Sequence, residues 1–166
     1  MTEVLPENAE SQRAWDGVLF DRFLAFRHLI VALAQHGLAA IQISPPAVGA
    51  RVVDLGCGFG DSAHQLAELV GEDGSVLGVD ISPRFIDLAR AESTSPNVRF
   101  EVMDAQAARF DDLFDYAFSR FGMMFFGSPV AAMRNVRAAL EPGGRLVSVV
   151  WRKREDNPWM YVAERS

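Results

Sequence analysis

Arg51-Val52-Val53-Asp54-Leu55-Gly56-Cys57-Gly58-Phe59-Gly60 is a short apolar run that ends in spaced glycines, and the rest of the chain falls into order around it. Val52, Val53 and Leu55 predict a parallel strand covered on both faces. Gly56, Gly58 and Gly60 remove side chains where the backbone must turn sharply and where a ligand comes close. A helix is predicted from Asp61-Ser62, because Ala63, Leu66, Ala67 and Val70 recur at i, i+3, i+4 and i+7. Strand, glycine turn and helix in this order open a nucleotide-binding βαβ unit.

The acids around the turn narrow the ligand. The dinucleotide fingerprint places a glycine or alanine where this chain has Asp61, and it lays a pyrophosphate on the helix N-terminus. Asp54 and Asp61 flank the turn, and like charge beside a pyrophosphate is unfavourable in a low-dielectric crevice. S-adenosylmethionine (SAM) has no phosphate and carries an ammonium and a sulfonium, so it suits this turn better. About twenty residues past Gly60, Val76-Leu77-Gly78-Val79-Asp80 reads as a second strand, ending in an acid placed to accept from both ribose hydroxyls. Asp80 would serve a nicotinamide site equally well, which keeps a nicotinamide-dependent reductase as a rival reading; Asp61 and the later strand ends weigh against it.

Val53-Asp54-Leu55-Gly56-Cys57-Gly58-Phe59-Gly60 resembles motif I of the class I SAM-dependent methyltransferases, and Gly78-Val79-Asp80-Ile81-Ser82 resembles their second motif. Further matches follow in order. Val98 to Ala105 resembles the third strand, Phe114 to Phe121 the fourth, and Leu140 to Val150 the turn and fifth strand, so the register covers roughly residues 50 to 151. The resemblance implies an α/β, Rossmann-like, doubly wound and mainly parallel sheet of order 3-2-1-4-5, with SAM across the C-terminal strand ends and methyl transfer as the reaction. It also implies a site. Asp54 shapes the turn and reaches the ammonium through water; Gly56 and Gly58 admit the methionine part, with Cys57 filling the cofactor-binding loop between them; Asp80 takes the ribose; Asp104, Ala105 and Ile81 hold the adenine; Ser119, at the end of the fourth strand, completes the set. No catalytic base is assigned.

Composition excludes several classes. The chain has 166 residues, 49% of them hydrophobic, which is enough for one sizeable core. A single cysteine leaves no disulfide framework and no CxxC pair, and His28, His36 and His64 are too scattered for zinc, so no metal is expected. The acidic start lacks a signal pattern, and the apolar run from Leu29 to Ile41 is interrupted and short, so a cytoplasmic protein without a membrane span is expected. A net charge of -6 argues against a broad phosphate-binding face. After the fourth strand there is neither the (Asn/Asp)-Pro-Pro-aromatic run of enzymes acting on base amines nor a Pro-Cys nucleophile; Met123-Met124-Phe125-Phe126 instead fits either an apolar wall for a small acceptor or burial under the next helix, with no nucleic acid expected as partner.

Residues 1–46 are expected to form an N-terminal helical cap, residues 47–151 the SAM-binding core, and residues 152–166 a tail that starts a helix at Pro158. Trp15, Phe20, Phe23, Phe26, Ile30 and Leu33 fall at mostly helical spacing, predicting one long helix or two short ones that pack on the domain or wall the acceptor pocket. The segment breaks at Ser44-Pro45-Pro46. The family adds a helix and two strands after the fifth strand. With only Trp151 to Ser166 remaining here, a fragment is expected, or a chain whose fifth-strand edge self-associates or meets a partner. A SAM-binding module without turnover, or a shortened partner subunit, is the alternative to an enzyme.

Overall fold

Five runs rich in β-branched and aromatic residues form one parallel sheet in the computed structural model, which describes residues 4–157. β1 (Arg51–Leu55) lies between β2 (Ser75–Asp80) and β4 (Phe114–Arg120); β3 (Val98–Val102) flanks β2 and β5 (Leu140–Val149) flanks β4, giving the order 3-2-1-4-5 that the resemblance implies. Asp54 stands opposite both Gly78 and Phe118, so the C-terminal ends of β2, β1 and β4 finish level with one another. That row of strand ends is the crevice in which ligands of open parallel sheets bind.

Alternation along β1 divides the core. Val52 faces a layer with Leu66, Val70, Ile86 and Phe118, while Val53 and Leu55 face one with Val79, Ala117 and Val136. The helices α5 (Asp61–Val70), α6 (Pro83–Glu92) and α7 (Pro129–Ala138) contribute to these layers. Each fully buried Val or Leu contributes roughly 1.5–3 kcal/mol, and Val52, Val53 and Leu55 of β1 are all buried to 1% exposure or less. Ser82 caps α6, its Oγ accepting from Phe85 N at 3.4 Å while donating to Asp16 Oδ1 at 2.8 Å. Ser82→Ala is expected to cost about 1 kcal/mol in urea unfolding; an unchanged midpoint would show that the cap and its tie to Asp16 contribute nothing.

The N-terminal segment differs in detail from its periodicity. It contains four short helices, α1 (Ala9–Asp16), α2 (Val18–Ala25), α3 (Arg27–Ala32) and α4 (Ala34–Ile43), separated at Gly17, Phe26 and Leu33. The breaks let the segment wrap across the strand ends instead of crossing them as one rod. Phe20 is buried in a cluster with Phe59 and Phe85, packing on its own domain, whereas Trp15 meets Phe125 with ring centroids 4.8 Å apart.

The fifth strand also departs from expectation. The apolar run from Leu146 and the Pro142-Gly143-Gly144 turn predict a strand beginning after the glycines. Pairing begins earlier, with Leu140 opposite Phe114, and resumes with Arg145 opposite Tyr116, so Glu141 to Gly144 form a bulge with Gly143 at φ 88°. Most of β5 is half-buried or exposed, not covered on both faces, and among the described residues it pairs with β4 alone. The helix expected from Pro158 lies outside the described residues. Among those residues no helix is long and apolar enough to cross a membrane.

Candidate functional site

A cavity opens at the level strand ends, floored by the glycine turn and roofed by the N-terminal helices. The turn is pinned to β2 by its backbone. Gly56 N and Cys57 N donate to Val79 O at 2.8 and 3.0 Å, and Gly58 N donates to Asp80 Oδ2 at 3.0 Å. Gly56, Gly58 and Gly60 all have φ between 54° and 86°, which only glycine adopts without strain. Close approach adds a second requirement: a Cβ on Gly56 would lie 3.0 Å from Gly122 Cα, and one on Gly60 would lie 2.7 Å from the Phe100 ring. Gly122 in turn has no room for a Cβ, which would lie 2.7 Å from Leu55 O.

Of the residues singled out in the sequence, Gly56, Cys57, Gly58, Asp80, Ile81, Asp104 and Ala105 line this cavity together. Asp80 is half-buried, with Oδ1 accepting from Ser82 N at 3.0 Å and Oδ2 from Gly58 N. Burial pushes its carboxyl up from the ordinary value, against the pull of the Ser82 and Gly58 N–H groups. Asp104 is 2% exposed, and both its oxygens are engaged by protein: Asn8 Nδ2 at 2.6 Å and Leu5 N at 3.3 Å on Oδ2, Gln106 N at 3.0 Å and Gln106 Nε2 at 3.4 Å on Oδ1. Cys57 is buried and its thiol is pushed up by that burial, so it fills the turn and offers no thiolate.

Two of the expected residues are not on the cavity wall. Ser119 is fully buried and donates to Leu55 O at 2.7 Å, tying β4 to the end of β1. Asp54 lies beneath the turn, fully buried, with Oδ2 accepting from Ser62 Oγ at 2.6 Å and Oδ1 without a partner. Burial raises its carboxyl to about 6, against the Ser62 hydroxyl and the charge of Arg120. His64 bonds Ser95 at the flank of α5, and among the described residues no histidine lines the cavity.

The structure adds residues that periodicity could not supply. Arg120, at the end of β4, lines the cavity beside Asp61. Asp61 Oδ2 and Gln65 Oε1 are buried without a hydrogen-bond partner, like Asp54 Oδ1; of the three only Asp61 lines the cavity, where Arg120 Nη2 stands 3.9 Å from its Oδ2. The far wall is apolar. Met124, Phe125 and Phe126 lie on it, together with Phe121 and Trp151, whose rings stack at 4.5 Å and 15°. Phe121 has φ 64°, a left-handed conformation that bulky residues avoid.

A family model described as a methyltransferase domain matches residues 52–144, more than half of the chain. Aklanonic acid methyltransferase DauC of Streptomyces sp. (strain C5) is 37% identical over 114 residues, covering 66% of this chain and 52% of that protein. The ubiquinone/menaquinone biosynthesis C-methyltransferase UbiE of Azotobacter vinelandii is 35% identical over 118 residues, covering 68% of this chain and 47% of its own. The SAM-bound structure of CalS10, an amino pentose methyltransferase from Micromonospora echinaspora, superposes with TM-score 0.59 at 27% identity, covering 75% of this chain and 51% of that one. The chain spans about half the length of the curated relatives it matches.

Proposed function

Because this chain belongs to the methyltransferase-domain family of class I SAM-dependent enzymes, we propose that it transfers a methyl group from SAM to a small, partly apolar acceptor. The observation that carries the reading is Asp80, an acid on the cavity wall at the end of β2 that also holds the glycine turn through Gly58 N. One carboxylate thereby joins the ribose position to the turn that takes the methionine part. The donor set fits the cofactor: Asp61, on the cavity wall with Oδ2 lacking a hydrogen-bond partner, suits an ammonium or a sulfonium and would repel a pyrophosphate.

SAM supplies a methyl group already activated by positive sulfur. The chain's own residues have to hold, align and dry the site. Gly56 to Gly58 and Asp80 fix the cofactor position, Ile81 and Ala105 enclose the adenine, and Asp104 reaches it once the Asn8 amide gives way. Phe121, Met124, Phe125, Phe126 and Trp151 exclude water and hold the acceptor; alignment of this kind supplies roughly 7–11 kcal/mol of a barrier. With no histidine on the wall among the described residues, the reading favours acceptors that react without one, such as a phenolate, a carboxylate or a stabilised carbanion. From the relatives named for aklanonic acid and for quinone biosynthesis we carry over only that the acceptor is a small molecule.

The test is methyl transfer from isotopically labelled SAM to a panel of phenols, aromatic acids and 1,3-dicarbonyls. Labelled product that depends on Asp80 is expected. Cofactor binding without any product would favour the binding-module alternative.

A further inference from the structure

We propose that Arg120 is an oxyanion-binding residue, presenting its guanidinium to a carboxylate or equivalent group held between the glycine turn and the Phe121–Trp151 stack. The proposal rests on the methyl-transfer reading above and names the charge that one of its ligands must bring.

Arg120 is the only cationic side chain lining the cavity among the described residues. Its side chain is 10% exposed, and a guanidinium so deeply buried ordinarily has its donors satisfied. Here they are not. Nη1 is buried without a hydrogen-bond partner, and Nη2 stands 3.9 Å from Asp61 Oδ2, beyond hydrogen-bond reach although close enough to attract. The planar fork of an arginine matches the two oxygens of a carboxylate, and the apolar wall beside it strengthens such a pair.

The fold makes room for this side chain at a cost. Gly37 sits inside α4, where glycine is unfavourable, and a Cβ there would lie 3.1 Å from Arg120 Cδ and 3.5 Å from the Phe118 ring. The missing side chain lets the Arg120 stem pass under the helix, so its head ends over the strand ends and not in solvent. The next residue, Phe121, takes a left-handed backbone and stacks on Trp151, placing a flat apolar surface beside the cation. That combination suits a planar anion. The α-carboxylate of the cofactor and the acidic group of an acceptor share this chemistry, and the experiment separates them.

Isothermal titration of the full chain would use wild type, Arg120→Gln, Arg120→Lys and Gly37→Ala. S-adenosylhomocysteine (SAH) carries the carboxylate, and 5′-deoxy-5′-methylthioadenosine lacks the whole amino-acid end. With SAH saturating, 2-naphthoate and 2-naphthamide compare a charged acceptor with a neutral one of nearly the same shape. If the cofactor brings the anion, Arg120→Gln weakens SAH at least tenfold and leaves methylthioadenosine unchanged. If the acceptor brings it, wild type prefers naphthoate to naphthamide at least tenfold and Arg120→Gln abolishes the preference. Arg120→Lys keeps the charge but loses the fork, and Gly37→Ala displaces the stem; both are expected to show smaller losses in the same arm, which keeps the test open if Arg120→Gln fails to fold. Equal weakening of SAH and methylthioadenosine, or no change in either arm, overturns the proposal and leaves Arg120 as a structural counter-ion to Asp54 and Asp61. Absence of SAH binding by wild type contradicts the methyl-transfer reading instead.

Discussion

Asp80→Ala is expected to weaken SAH binding by on the order of 1.5–3 kcal/mol, ten- to a hundredfold in Kd, the usual worth of hydrogen bonds to a charged group. Two losses combine. The carboxylate proposed to accept from the ribose hydroxyls is gone, and so are the bonds from Gly58 N and Ser82 N that tie the turn and the start of α6 to the end of β2. Asp80→Asn keeps an acceptor without the charge and should fall between the two. Titration of the three proteins checks this, with the unfolding midpoint recorded beside it. A hundredfold loss of affinity at an unchanged midpoint would assign the effect to the ligand, whereas equal affinity would remove Asp80 from the site.

The second large effect is on stability as a function of pH. Asp54 has a folded-state value of about 6 against an ordinary 3.8, because burial disfavours its charge. Below 3.8 the folded and unfolded chains both hold the proton, and the group makes no difference. As pH rises from there to about 6, the unfolded chain ionises first, so stability falls and then levels off. At 1.36 kcal/mol per unit, the fall is about 3 kcal/mol. Asp54→Asn lacks this term, so its stability relative to wild type should rise between pH 4 and pH 6. Urea unfolding across that range decides the matter, and parallel curves for the two proteins would show that Asp54 is ionised in the folded state without penalty.

Local chemistry was legible in the sequence wherever neighbours along the chain determine it. The run from Val52 to Gly60 carries its strand, its turn and the start of α5 in consecutive residues. Ser82-Pro83 carries a helix start, and Asp80 stands at a fixed interval from the turn. Residues whose role depends on distant contacts were not legible. Asn8 belongs to a lead-in with few apolar anchors, yet it is 2% exposed because Asp104, 96 positions away, takes its amide. Arg120 and Gly37 explain one another only when α4 lies over β4. Ser119 could be placed at a strand end but not assigned a direction, since a one-residue difference in register turns a side chain from the crevice into the sheet. The bulge from Glu141 to Gly144 hid the start of β5 for the same reason: Pro142-Gly143-Gly144 has turn chemistry, and pairing with Phe114 overrides it.

The most direct measurement of the central claim is a pair of titrations on the purified chain, SAH in one and NAD in the other, repeated with Asp80→Ala. The account predicts saturable binding of one SAH per chain, sharply weakened by the substitution, and no heat from NAD. NAD binding tighter than SAH, or SAH binding indifferent to Asp80, would contradict it.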